Sequence, residues 1–92
     1  MAVYVDTLTD YGYEGTWCHM IADTEDELHR MASSLKLKRE WFQPKSFPHY
    51  DLKPSKRNIA VFFGAIELKP VELGRKVIDL KAKKLRHEDP NT

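Results

Sequence analysis

The chain has 92 residues, of which 41% are apolar and 32% charged. That is one domain of soluble globular composition, too apolar for a disordered chain and too polar for a membrane protein. Its net charge is +1, so nothing drives the whole molecule toward polyanions. The longest apolar run is Ile59 to Phe63, against about 20 residues for a membrane helix. Met1 leads into a short strand-like run and Asp6 rather than a basic and then apolar stretch, so no signal peptide is expected. Cys18 is the one cysteine, which excludes an intramolecular disulfide and every cysteine-based zinc motif. The expectation is a cytoplasmic protein with no membrane partner. Charge is mildly split: residues 1–46 hold five basic and eight acidic side chains, residues 47–92 ten and six.

Ala2 to Val5 alternates like a short strand. Residues 7–15, with Asp10, Gly12 and Gly15, read as a loose loop. Thr16 to Ala22 is extended, with Trp17, His19 and Ile21 on one face and Cys18, Met20 and Ala22 on the other. Both faces are largely apolar, which predicts a central strand covered on both sides. Thr24-x-x-Glu27 is a capping box, with the Thr hydroxyl on the Glu27 amide and the Glu27 side chain returning to the Thr24 amide. Leu28, Met31, Ala32 and Leu35 then form one helical stripe ending near Leu37. Residues 38–48 are a connector carrying Pro44, Pro48 and the pair Trp41-Phe42. His49 to Leu52 is a very short strand. Pro54 opens a helix through Phe63, with Ile59, Phe62 and Phe63 as its expected buried stripe and Gly64 as a left-handed cap. Ala65 to Leu68 is a last strand. Pro70 opens a third helix to about Leu85, buried by Leu73, Val77 and Leu80 and flanked by Val71 and Ile78. Residues 87–92 are expected to be a flexible tail. The order predicts a single α/β domain over 1–86, with a mixed sheet of three to four strands and about three helices.

No phosphate loop, dinucleotide fingerprint or nucleophile elbow is present. Cys18 sits mid-strand and reads as a buried thiol. The histidines are more informative. In an extended chain residues i and i+2 point the same way, so His49 and Asp51 face one side together. His19 and Asp23 stand toward the carboxyl end of the central strand, where ligands of open α/β sheets sit. His19, Asp23, His49 and Asp51 are therefore a candidate divalent-metal set. Each has a plain structural alternative: a satisfied core histidine, a helix cap, a brace for the loop. His29 flanks the first helix's apolar stripe. Lys56 and Arg57 open the second helix, directly after His49-Tyr50-Asp51, as candidate phosphate contacts. Arg75, Lys76, Lys81, Lys83, Lys84 and Arg86 crowd the third helix. Tyr11, Tyr13, Trp41 and Tyr50 offer stacking surfaces.

Trp17-x-His19, Ala22-Asp23-Thr24, Glu27-Leu28-His29, His49-Tyr50-Asp51 and Gly64-Ala65, in that order, resemble a small family of uncharacterised bacterial and phage proteins. The opening run from Met1 to Asp6 and Ser55-Lys56-Arg57 resemble its phage-type members. The likeness covers most of residues 1–78. Its family is a domain of unknown function, so it implies no reaction, cofactor or partner. It implies that these polar residues are a family pattern.

Two readings stay open. One is a pocket of His19, Asp23, His29, His49, Tyr50 and Asp51 that binds a nucleotide, nucleic acid or other phosphate-containing ligand, with or without a divalent metal ion and hydrolysis. In it His19, His49 and Asp51 are catalytic, and Trp17, His29, Tyr50, Lys56 and Arg57 bind ligand. The other is a non-catalytic accessory module that binds a host or phage protein, with a homodimer as one possible form. Convergence of His19 and His49 within one site separates them.

Overall fold

The structure, a computed structural model, describes residues 2–88, with side chains as far as Lys83. The expected central strand is Thr16–Ala22, the third of five: β1 (Val3–Val5), β2 (Thr9–Asp10), β3 (Thr16–Ala22), β4 (Tyr50–Leu52) and β5 (Ile66–Glu67). Helix α1 (Glu25–Ser34) joins β3 to β4, α2 (Pro54–Phe62) joins β4 to β5, and α3 (Pro70–Glu88) follows. Met20 pairs with Val5 on one side and Tyr50 on the other, so β3 is hydrogen-bonded along both edges. Both of those neighbours run antiparallel to it, and β5 runs parallel to β1. The architecture is the expected α/β domain with a mixed sheet.

The additional strand is β2, within the segment expected to be loop. It rejoins the edge of β3 that β1 occupies, pairing Thr9 with Trp17 and Asp10 with Thr16. From Val5 to Thr9 the chain takes four steps while its partner takes three, from Met20 to Trp17. One extra residue is therefore accommodated between β1 and β2, as in a β-bulge. Tyr11 N–H donates to the Gly15 carbonyl at 2.8 Å and closes the hairpin.

Strand alternation sorts the core into two layers. Val5, Cys18, Met20, Ala22, Tyr50 and Leu52 pack beneath Leu28, Ala32 and Leu35 of the α1 segment and Ala60 of α2. Tyr4 and Ile21, on the opposite face, pack against Leu73 and Leu80 of α3. The α3 stripe is as expected, with Val71 and Ile78 exposed. Leu85 and residues 89–92 lie outside the described side chains and backbone, while the helix itself continues to Glu88.

Helix α2 differs from its expected orientation. Phe62 is 85% exposed, and Ile59 and Phe63 are also exposed. The inward stripe is instead buried Ala60 with half-buried Arg57 and Val61. Arg57 donates through Nε to the Asp6 carbonyl at 2.8 Å and through a terminal nitrogen to Glu67 at 3.0 Å. That anchor turns the arginine face inward, and the small Ala60 side chain sits fully buried beneath it. At the end of α2, Gly64 has φ +108°. Its N–H donates to Val61 and that of Ala65 to Ala60, the paired bonds of the expected left-handed cap.

The start of α1 follows its capping signal. Thr24 is the N-cap, and its hydroxyl oxygen accepts from the Glu27 amide at 3.2 Å. The Glu27 carboxylate accepts from the Thr24 hydroxyl at 2.9 Å rather than reaching the Thr24 amide. Replacing Thr24 with Ala removes both contacts and is expected to cost about 1 kcal/mol. Urea unfolding of the two proteins measures it; a difference below a few tenths would place the cap elsewhere.

Candidate functional site

Because β3 and β4 pair with His19 opposite Asp51, the alternation that buries Cys18, Tyr50 and Leu52 turns His19, Asp51 and His49 to the other face. His49 lies just before β4 and is held by a two-way bridge with Gln43. The His19 and His49 rings meet edge to face with centroids 5.7 Å apart. They form part of an open groove of about 600 Å³ lined also by Tyr11, Glu14, Trp17, Cys18, Gln43 and Asp51. The indole N–H of Trp17 donates to the Glu14 carbonyl and ties the hairpin loop to the groove wall. The Lys53 ammonium stands 5.2 Å from the centre of the Trp17 ring, within cation–π range.

Each imidazole is oriented through Nδ1. His19 Nδ1 lies 2.8 Å from an oxygen of Asp6, whose other oxygen accepts from the His19 backbone N–H at 2.6 Å. His49 Nδ1 lies 2.7 Å from the Phe47 carbonyl. A carbonyl only accepts, so His49 carries its proton on Nδ1 when neutral. Among the described residues no hydrogen bond engages Nε2 of His19, and the nearest acid to Nε2 of His49 is Asp51 at 3.7 Å. Each ring thus has Nδ1 engaged and Nε2 without a hydrogen bond among the described residues.

Asp6 makes the histidines unequal. It is 5% exposed, and a buried carboxylate needs hydrogen bonds or a counter-charge. Its hydrogen bond raises the pKa of His19 above the ordinary value; burial opposes this, and the charges of Asp6 and Asp51 add to it. Asp6 is the residue that reading by motif missed. Its signal was an acidic side chain closing the alternating Val3-Tyr4-Val5 run, directly before the bulge. Gln43 was missed too; its amide donates to Asp51 at 2.6 Å.

The remaining candidates lie elsewhere. Asp23 accepts from the Ala2 amide at 2.9 Å and the Tyr4 hydroxyl at 3.0 Å, with Lys76 at 3.7 Å. It anchors the start of β1 and lines none of the histidine groove. His29 and Tyr50 join each other on the α1 side of the sheet, Nδ1 to hydroxyl at 2.9 Å, with Phe42 packed at 4.6 Å from the His29 ring. That cluster pins the connector. Lys56 and Arg57 sit on α2 and line none of the groove. The expected six-residue pocket thus divides into three places, with His19, His49 and Asp51 together in one, beside Trp17. Among the described residues no three His, Cys, Asp or Glu side chains are placed to hold a metal ion, so the four-ligand set does not assemble. Cys18 is buried and its pKa rises from 9.0 to about 12, mainly by burial; that thiol is no nucleophile at neutral pH.

Fold and groove define a small α/β domain with a histidine pair on one sheet face. The chain belongs to the family described as "Protein of unknown function (DUF4031)", whose model matches residues 3–80. No curated protein and no solved structure matches the chain. Among the described residues no helix is long and apolar enough to cross a membrane.

The pair links stability to pH. With its folded pKa raised, His19 contributes stability that is complete below the unfolded histidine value of about 6.5 and fades as pH climbs through the folded value. Melting temperatures of the wild type and His19→Gln are expected to differ most near pH 6 and converge toward pH 9. A gap that widens with pH would break the assignment of the proton to His19.

Proposed function

We propose that the groove binds a phosphate-containing ligand, of the nucleotide or nucleic-acid class, through protonated His19 and the neighbouring His49. The observation that carries this reading is the 5.7 Å ring separation with both Nδ1 atoms already engaged. A hydrogen bond of about 2.8 Å from the Nε2–H of charged His19 then reaches one phosphate oxygen, and His49 donates to a second when it too is protonated. Lys53 adds positive charge beside Trp17, while Tyr11 and Trp17 supply faces for a base. Glu14 and Asp51 oppose an anion, so binding depends on the imidazoles being charged.

That dependence separates the phosphate reading from a metal reading by sign. Phosphate needs protonated histidine and a metal needs it neutral. Calorimetric titration with inorganic phosphate and with uridine monophosphate is expected to show binding several-fold tighter at pH 5.5 than at 7.5, and weakened in His49→Ala. Zinc, manganese or magnesium binding that strengthens at pH 7.5 and disappears in His49→Ala would favour the metal. No binding of either phosphate compound at pH 5.5 would end the phosphate reading.

A second reading, association of two copies, rests on a different surface. Phe62 and Phe63 are exposed with rings 6.0 Å apart, next to exposed Ile66 of β5, whose outer edge is unpaired among the described strands. An open strand edge flanked by apolar side chains invites pairing with another. Sedimentation is expected to show a dimer that Phe62→Ser dissociates; a monomer at high micromolar concentration would exclude it.

A further inference from the structure

We propose that the His19–His49 groove cleaves single-stranded RNA by internal transphosphorylation, with no metal ion taking part. This rests on the phosphate-binding reading above and names its substrate and reaction. The argument begins with the donor set. Two imidazoles line one groove with neither Nε2 engaged by a hydrogen bond, and with Asp51 beside them they are not placed to hold a metal ion among the described residues. A proton acceptor facing a proton donor suits a substrate that carries its own nucleophile. In RNA that nucleophile is the 2′-hydroxyl, already held beside its phosphorus, so no water needs activation. DNA lacks it.

The two rings take different parts because their second nitrogens meet different partners. His49 has its Nδ1–H on a neutral carbonyl, which leaves Nε2 with a lone pair. His19 has its Nδ1–H on a buried carboxylate, which favours the charged form of the ring. His49 Nε2 takes the proton of the 2′-hydroxyl. The oxygen forms its bond to phosphorus, and the bond from phosphorus to the 5′-oxygen breaks with its electron pair on that oxygen. His19 Nε2 gives it a proton. The products are a 2′,3′-cyclic phosphate and a free 5′-hydroxyl; exchange with solvent resets the two rings. Asp51, 3.7 Å from His49 Nε2 and held by Gln43, faces the charge that His49 gains.

Single strands fit better than duplex. Tyr11 and Trp17 line the same groove as the histidines, and an unpaired base can stack on such faces while a base within a helix cannot. Asp6 touches no substrate in this scheme. It is a positioning residue that fixes the His19 ring and its proton. The groups facing the pair are Asp6 and Asp51, with Glu14 in the groove wall and Lys53 over Trp17.

The test uses the full chain with EDTA and a fluorescent DNA oligomer containing one ribouridine, beside an all-DNA copy. Trp17 fluorescence in a Trp41→Phe background reports binding of each. Both oligomers are expected to bind. Only the first is cut, 3′ of the ribouridine, leaving a cyclic phosphate identified by mass spectrometry. His19→Ala and His49→Ala, checked for folding by circular dichroism, are expected to lose at least about 100-fold in rate. The rate is expected to fall at high pH as His19 loses its proton. Asp6→Asn is expected to move the alkaline limb to lower pH, which loss of folded protein alone would not do. Both oligomers bound and neither cut at any pH overturns the reaction and leaves the binding reading intact. Neither oligomer bound overturns both. Cleavage retained in both histidine variants assigns the activity to something other than this groove and overturns the proposal.

Discussion

Asp6 is the residue on which the rest of the arrangement depends. Each of its polar groups has a partner. Its amide donates to the His19 carbonyl, one carboxylate oxygen accepts the His19 amide, the other meets the His19 ring, and its carbonyl accepts Arg57. A carboxylate this deeply buried without partners would cost several kcal/mol. With them it replaces a rung of the sheet ladder by a side chain, and so takes up the extra residue between β1 and β2. The bulge is the same feature as the orientation of His19. Removing the carboxylate would therefore disturb strand register and the histidine ring at once, while the docking of α2 rests on the Asp6 carbonyl.

The period of a strand explains both what assembles and what does not. Side chains alternate across the sheet, so His49 and Asp51 face away from Tyr50 although the three are consecutive. His19 joins the first two because β4 pairs with β3 in a register that sets it opposite Asp51. Tyr50 joins His29 because it faces α1, the helix that carries His29. A run that reads as one motif along the chain is two sites in space. Asp23 is separated by a different cause: at the end of β3 it lies beside the start of β1, and the free Ala2 amide and the Tyr4 hydroxyl are the donors it finds there.

Local signals in the chain were legible where the physics is local. The Thr24 cap, the α1 and α3 stripes, the Gly64 turn and the two-sided central strand all follow from residues within a few positions of one another. The shared side of His49 and Asp51 followed from i, i+2 spacing alone. What failed depended on partners distant in sequence. The stripe Ile59, Phe62 and Phe63 has good helical spacing, yet Arg57 reaches 51 positions back to the Asp6 carbonyl and rotates the helix away from it. Strand β2 was hidden because Thr9-Asp10 is polar and exposed, so only its pairing to β3 reveals it. The buried role of Asp6 was hidden for the same reason.

Stability and chemistry draw on the same proton. Asp6 is most comfortable beside a charged His19, and a charged His19 is what an anionic ligand or a leaving oxygen requires. The same carboxylate that fixes the bulge therefore also favours the charged form of His19, which adds to the stability of the fold when that ring is protonated. Glu14 and Asp51 in the walls work against any anion until the imidazole is charged, so they sharpen that dependence. Asp51 also stands at Nε2 of His49, where a proton taken from a ligand would be stabilised. Two imidazoles 5.7 Å apart would repel if both were charged. Each ring has its own acidic neighbour, Asp6 for His19 and Asp51 for His49, so that a charge on either is compensated.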